Sequence, residues 1–214
     1  MATRFSLEHA PVTRALLIAN ILAYAVAALA LGLDRANLMG GLIPARLSGL
    51  VDLPGALPPL ATVVTSAFLH AALWHLGMNM ILLAWLGRLL EPPLGASRFA
   101  GLYALSLVVA AAAQYAAEPS SPHPVVGASG AIAGLFGAHA LLHAVGTRRA
   151  KGLADQPVVE AGKLALMWTL FQLALALTAG MGGLGIAIWA HVGGFLAGLA
   201  WVLAHLGPAP RASP

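Results

Sequence analysis

Two residues with the chemistry of a nucleophile and a base stand far apart in an otherwise apolar chain. Ser129 lies between small residues in "GASG", and His191 lies in "WAHVGGFLAG". A serine hydroxyl becomes a useful nucleophile when a base takes its proton, and a neutral imidazole within hydrogen-bond reach can do so. These residue types predict hydrolysis through a covalent serine intermediate, provided that the fold brings them together.

A second polar group lies in "HAALWHLGMN", which contains His70, His75 and Asn79. His75 and Asn79 are spaced i, i+4 and share one face of a helix, whereas His70 is rotated by about 140° from His75. Serine hydrolases need hydrogen-bond donors for the oxyanion, and the first N–H groups of a helix are available for this purpose. We therefore predict that the Ser129 amide, His75 and Asn79 form the oxyanion site, and that His70 has a separate task.

The other titratable residues exclude several kinds of chemistry. The chain has no cysteine, so disulfides, thiolate metal sites and cysteine nucleophiles are excluded. All the acidic residues lie in predicted loops or flanks, which favours a Ser129–His191 dyad over a Ser–His–Asp triad. His139 and His143 are spaced i, i+4 without an evident third ligand, so we predict neither a metal site nor a cofactor.

Composition indicates where this chemistry takes place. The 214 residues are 60% hydrophobic and 8% charged, with a mean hydropathy of +0.87. Long stretches without any charge are typical of integral membrane proteins, because an ionised side chain in the bilayer core costs several kcal/mol. The net charge of +4 resides in short loops between apolar segments, so we predict contact with membrane lipids and none with nucleic acid.

The hydrophobic segments predict an all-α polytopic bundle of six transmembrane helices. We expect a cytoplasmic N-terminal segment (1–11), one membrane domain (12–206) and a disordered tail (207–214). The predicted helices are 12–32, 67–89, 97–117, 128–147, 162–180 and 185–206. Nine of the 11 Lys and Arg residues fall on one side, which places both termini in the cytoplasm.

This topology gathers the polar residues at one level, because the second, fourth and sixth helices run in the same direction. Glycine faces allow close helix packing in membranes, and pressing two of them together would bring His191 to Ser129. The glycines concerned are Gly130, Gly134 and Gly137 on the fourth helix, and Gly194 and Gly198 on the sixth.

Two of the predicted external loops have distinct characters. Residues 33–66 are too apolar and proline-rich for a plain linker, so we expect this segment to lie along the membrane surface. Residues 180–185, "GMGGLG", form a candidate mobile lid.

The motifs "HAALWHLGMN", "GASG" and "AHVGGFLAG", in this order, resemble those of the rhomboid intramembrane serine proteases in their basic six-helix bacterial-type form. The resemblance covers residues 65–206. It implies Ser129 as nucleophile, His191 as base, and His75 and Asn79 as oxyanion donors. His70 and four glycines support them, namely Gly127, Gly130, Gly194 and Gly198.

The same resemblance implies an environment and a class of substrate. It implies a multi-pass protein of a bacterial inner membrane, with an active site open to the extracytoplasmic side. The expected substrates are transmembrane proteins.

Two departures from the family pattern matter. The first external loop lacks the frequent Trp-Arg pair and offers only Arg35 and Arg46. Ala133 stands where many members have an aromatic residue stacked on the catalytic imidazole. We therefore expect Trp189 or Trp74 to hold the His191 ring.

Other interpretations of the same residues stay open at this point. Ser129 could be a helix cap or a small packing residue, and His75 and Asn79 could join helices by hydrogen bonds. At the level of function, the alternatives are a catalytically weak or inactive rhomboid-like protein that binds transmembrane helices, and a small transporter or channel.

Overall fold

The computed structural model describes residues 7–181 and 187–206. Within these residues, six helices are long and apolar enough to cross a membrane, which confirms the predicted all-α polytopic fold. They are Pro11–Leu31, Leu73–Leu94, Ala96–Ala117, Ser129–Ala150, Pro157–Leu177 and Ile188–His205. The predicted tail 207–214 and residues 182–185 of the predicted lid lie outside the described part of the chain.

The described helices follow one another along the chain, with the longest connections between α3 and α4 and between α6 and α7. α1 (Pro11–Val26) continues as a π-helical turn (Ala27–Leu31). α2 (Leu33–Gly40), α3 (Pro44–Leu47), α4 (Thr62–Thr65) and a 3₁₀ turn (Ser66–Phe68) precede α5 (Leu73–Leu94). The remaining helices are α6 (Ala96–Ala117), α7 (Ser129–Ala150), α8 (Pro157–Met181) and α9 (Ile188–His205).

The limits of α5 differ from the predicted span 67–89. The helix begins at Leu73, because Ala72 is extended (φ −156°, ψ 162°), and it runs through two prolines to end before Gly95 (φ 82°). Hydropathy does not predict this helix start, because the residues just before Leu73 are also mostly apolar. His70 therefore lies in the loop before α5, and His75 is the third residue of the helix.

Two further boundaries were misplaced. α8 begins at Pro157 rather than at residue 162, since proline is well tolerated in a first helical turn. α9 begins at Ile188 rather than at residue 185, so that His191 is its fourth residue.

α7 and α9 meet along their glycines with their backbones in contact. A Cβ atom added at Gly194 would collide with the carbonyl oxygen of Gly130, and one added at Gly198 would collide with that of Gly134. α6 packs on the same faces, since a Cβ atom at Gly130 would lie 2.7 Å from Cβ of Ala110. Glycine at these positions is a steric requirement of the central packing.

α1 is attached to this core through a carboxyl group of α5. Glu91 is buried and accepts hydrogen bonds from the backbone N–H groups of Val12 and Thr13, each at 2.8 Å. The Thr13 hydroxyl donates a third bond at 2.6 Å. The carboxyl group of Glu91 thus satisfies N–H groups that the first turn of any helix leaves without intrahelical acceptors.

The segment between α1 and α5 folds onto the α6–α7 connection. An isolated antiparallel bridge joins Leu42 to Val125, and the Ala45 amide donates to the Ser121 carbonyl at 3.0 Å. Arg46 is buried and donates to the carbonyl of Leu57 at 3.0 Å. Arg46 therefore supports this segment from within, although the Trp-Arg pair is absent.

Candidate active site

The structure brings Ser129 and His191 into hydrogen-bond contact. Ser129 is the first residue of α7 and His191 the fourth of α9, and the glycine packing of the two helices sets their separation. Ser129 Oγ lies 2.8 Å from His191 Nε2. The N-cap residue of α7 is Ala128, and no side chain forms a capping hydrogen bond at this helix start, which lies within the described residues. Ser129 therefore does not act as a helix cap.

His75 and Asn79 face the turn that leads into Ser129. Gly127 has a φ of +116°, and a Cβ atom there would lie 2.8 Å from Cε1 and Nε2 of His75 and 3.6 Å from Nδ2 of Asn79. Glycine is needed both for this backbone conformation and for the room that the two side chains occupy. One N–H of the buried Asn79 amide donates to the His75 carbonyl at 3.0 Å, which leaves a second N–H on the same nitrogen.

His70 packs against His75. The two imidazole rings meet edge to face, with centroids 5.0 Å apart and planes inclined at 67°. Burial, assisted by the proximity of His75, lowers the pKa of His70 to about 4, so this ring is neutral at pH 7. His70 is placed to hold the His75 ring, as a supporting residue would be.

The imidazole of His191 is held by a residue that the sequence analysis missed. Gln172 of α8 is buried, and its Oε1 lies 3.2 Å from His191 Nδ1. Of the two aromatic residues expected to hold the ring, Trp74 packs on His75 with ring centroids 5.8 Å apart, and the expectation for Trp189 stays a prediction. A buried amide in a predicted membrane span was the available signal, because polar groups there are costly and usually paired.

The backbone around His191 is held by α8 again and by α6. Trp168, one helical turn before Gln172, donates from Nε1 to the His191 carbonyl at 3.2 Å. Gln114 of α6 accepts from the Ala190 amide at 3.2 Å, and its amide group donates to Glu118 at 3.1 Å. His191 is thus fixed through its ring, its own carbonyl and the preceding amide.

An apolar cavity opens beside Ser129. Small and branched aliphatic residues from five parts of the chain form most of its wall: Leu42, Val63, Leu107, Ala110, Ala111, Val125, Val126, Ala187 and Ala190. Ser66, Gly127, Ser129 and Gly130 also line it. Ser129 therefore borders a space suited to a small apolar group.

The second histidine pair is remote from this site. His139 and His143 stack with ring centroids 6.2 Å apart, and His139 also meets Trp85 edge to face at 5.5 Å. They lie at least ten residues beyond Ser129 on α7, which corresponds to about 15 Å along the helix. The pair belongs to the far end of the bundle.

Comparisons with known proteins agree with these motifs. A family model described as "Rhomboid domain" matches residues 59–207. The chain is 38% identical over 85 residues to "Rhomboid protein 1, mitochondrial" of Saccharomyces cerevisiae, which is 38% of this chain and 25% of that protein. It is 37% identical over 76 residues to "Rhomboid-related protein 3" of Homo sapiens, which is 36% of this chain and 18% of that protein. The chain thus spans about a quarter of the first relative and less than a fifth of the second.

Proposed function

The chain belongs to the rhomboid family, and on that premise we propose that it is an intramembrane serine endopeptidase that cleaves transmembrane segments of membrane proteins. The observation that carries this proposal is the 2.8 Å contact between Ser129 Oγ and His191 Nε2. A hydroxyl and an imidazole so placed satisfy the geometric requirement for general-base activation of a nucleophile.

The proposed reaction proceeds in two halves. Ser129 Oγ attacks the scissile carbonyl carbon while its proton passes to Nε2 of His191. The tetrahedral intermediate collapses, the C–N bond breaks, and the imidazolium gives its proton to the leaving amine. Water then attacks the acyl-enzyme and gives a proton to His191. The ester C–O bond breaks, the carboxylic acid leaves, and the imidazolium returns its proton to Ser129 Oγ.

The oxyanion is proposed to bind at the start of α7. The Ser129 amide is the first N–H of that helix and has no intrahelical acceptor. The proximity of the His75 and Asn79 side chains to Gly127, two residues before Ser129, supports their proposed role as further donors. Donors of this kind stabilise the charge that develops in the transition state, where it is shielded from bulk water.

The surroundings of Ser129 support a class of substrate and an orientation. The apolar cavity of small residues suits a short aliphatic side chain next to the scissile bond of a transmembrane segment. The excess of Lys and Arg on one side supports cytoplasmic termini and a site open to the opposite, extracytoplasmic side. A bacterial inner membrane is proposed from the resemblance of the motifs alone. A catalytically inactive protein that binds transmembrane helices has no need of the hydrogen-bonded Ser129–His191 pair.

Cleavage in proteoliposomes tests this function. Purified protein is reconstituted with a fluorogenic transmembrane substrate that carries alanine at the cleavage position. Wild type should cleave it, and His191→Ala should lower the rate by about 10³-fold or more, since the base is lost. His143→Ala removes a histidine from the far end of α7 and should leave the rate unchanged. A full rate in His191→Ala would remove the base from the scheme.

The oxyanion assignment is tested in the same assay with a matched pair of asparagines. Asn79→Ala should lower kcat by about 10²- to 10³-fold, because one oxyanion donor is lost. Asn20 is also buried and also donates to the carbonyl four residues earlier, at 2.8 Å, but on α1. Asn20→Ala should keep the wild-type kcat per folded molecule. Equal rates in the two variants would contradict the role of Asn79.

A further inference from the structure

We propose that Gln172 is a positioning residue that fixes the tautomer of His191. Ser129, His191 and Gln172 then form a hydrogen-bonded chain of three uncharged groups. This inference rests on the proposed function for its catalytic meaning. Its structural content, which ring nitrogen of His191 carries the proton, can be measured without any substrate.

The two hydrogen bonds of the His191 ring define the tautomer. Gln172 Oε1 lies 3.2 Å from Nδ1 and Ser129 Oγ lies 2.8 Å from Nε2. An amide oxygen can only accept, so Nδ1 carries the hydrogen and Nε2 presents its lone pair to Ser129. In the opposite tautomer Nε2–H would point at Oγ, and the ring could not take the hydroxyl proton.

Because the Gln172 amide is buried, its hydrogen bond to the His191 ring does not compete with water. Gln172 is 2% exposed, whereas its neighbours Phe171 and Leu173 on the outer face of α8 are 55% and 39% exposed. A buried amide without a hydrogen bond carries a large desolvation cost, so Gln172 and Nδ1–H stabilise each other. A neutral amide is also less costly than a carboxylate at this depth in a membrane protein.

Trp168 sets the register that makes this contact possible. It lies four residues before Gln172, on the same face of α8, and its indole N–H holds the carbonyl of His191 at 3.2 Å. One face of α8 therefore makes hydrogen bonds to both the backbone carbonyl and the imidazole ring of His191. This arrangement assigns to Gln172 the orienting task that an aspartate performs in a Ser–His–Asp triad.

Nitrogen NMR of the protein in detergent micelles tests the tautomer directly. The chain is labelled with ¹⁵N-histidine, and the His191 signals are assigned by their loss in His191→Ala. Protonated and unprotonated ring nitrogens have widely separated ¹⁵N shifts. We expect the Nδ1–H form in wild type and in Gln172→Glu, which keeps an acceptor. Gln172→Leu should lose the predominance of this form.

The kinetic counterpart is the rate of labelling of Ser129 by a fluorophosphonate, which needs no substrate binding. Gln172→Leu should slow labelling by about tenfold, and Gln172→Glu should restore most of the rate. Leu170→Ala, on the exposed face of α8, serves as a matched control and should label as wild type does.

The possible outcomes separate the two proposals. An Nε2–H form in wild type, or an unchanged Nδ1–H form in a folded Gln172→Leu, would overturn the role of Gln172 even if the protein cleaves substrates. The Nδ1–H form in wild type and its loss in Gln172→Leu would uphold that role even if no proteolysis is found. If Gln172→Leu does not fold, the wild-type and Gln172→Glu spectra decide, since an Nε2–H form in either overturns the inference.

Discussion

The centre and the periphery of the bundle are held together in different ways. In the most apolar 18-residue stretch of each helix, 56% of α7 and 50% of α9 is buried, against 11% of α8 and of the span formed by α1 and its π-helical turn. The central helices touch through glycines, whereas the outer helices add hydrogen bonds from a few polar side chains to their apolar contacts with the core. Glu91 holds α1, and Trp168 with Gln172 holds α8.

The difference shows how the site is divided between these regions. Ser129 and His191 come from the two central helices, whose close packing fixes their separation. The orientation of the His191 ring depends on α8, which is mostly exposed to its surroundings. We therefore expect the centre to be sensitive to added atoms and the periphery to be sensitive to lost hydrogen bonds.

The largest effect on stability is expected at Glu91, where three hydrogen bonds hold α1. Glu91→Ala leaves two buried N–H groups without their acceptor and should lower the free energy of unfolding by about 3 kcal/mol. Glu160→Ala, which breaks ion pairs to Arg148 and Lys163 near the surface, should change it by less than about 1 kcal/mol. SDS titration of each variant measures both values. Equal stabilities would show that α1 is not held by this carboxyl group.

Gly194→Ala tests the sensitivity of the centre. The added methyl group collides with the Gly130 carbonyl, so stability should fall by about 1–3 kcal/mol and substrate cleavage should slow as α7 and α9 separate. Gly146→Ala, on α7, is the control, since nothing lies within 4 Å of its added Cβ atom. That variant should be as stable as wild type or more so. Thermal unfolding and the cleavage assay give both quantities, and an unperturbed Gly194→Ala would contradict the account of the core.

A smaller effect is expected from Trp168→Phe. The ring can still stack on Phe195, where the centroids are 4.6 Å apart, but the bond to the His191 carbonyl is lost. Stability should fall by about 0.5–1.5 kcal/mol, and Ser129 labelling should slow less than in Gln172→Leu, because the ring contact remains. Trp85→Phe, at the far end, should keep the wild-type labelling rate. A labelling defect larger than that of Gln172→Leu would move the orienting role from the amide to the indole.

The smallest effect is expected at an exposed ion pair outside the membrane spans. The hydrogen bond from Arg149, at 2.6 Å, lowers the pKa of Asp155 below its usual 3.8. Its contribution is therefore present above that usual value and is lost as the pH falls through the lowered one. Asp155→Asn should melt slightly below wild type at pH 7 and low salt, and the difference should vanish in strong acid or in about 1 M salt. A difference that persists in high salt would contradict this ranking of buried over exposed contacts.

The sequence was informative wherever a single helix carried the pattern. Charge-free stretches gave six spans, and the glycine spacing predicted the contact that sets Ser129 against His191. The break before Leu73 was not predicted, because residues 66–72 are about as apolar as the helix that follows. Helix breaks within apolar runs depend on tertiary contacts that hydropathy does not encode.

The contact of Gln172 with His191 was not predicted for a different reason. The sequence offers no acidic residue within a predicted span, and the expected partners of His191 were the aromatic residues Trp189 and Trp74. The partner comes from a helix whose register against α9 is set by Trp168 and is not readable from spacing alone. Treating every buried amide in a span as a suspect would have singled out both Gln172 and Gln114.

Covalent labelling tests most directly the proposal that Ser129 is an activated nucleophile. The purified protein is treated with a fluorophosphonate and digested, and the modified residue is identified by mass spectrometry in wild type, Ser129→Ala and the control Ser97→Ala. The account predicts a label on Ser129 in wild type and in Ser97→Ala, and none in Ser129→Ala. Labelling that persists in Ser129→Ala, or a wild-type label on another residue, would contradict it.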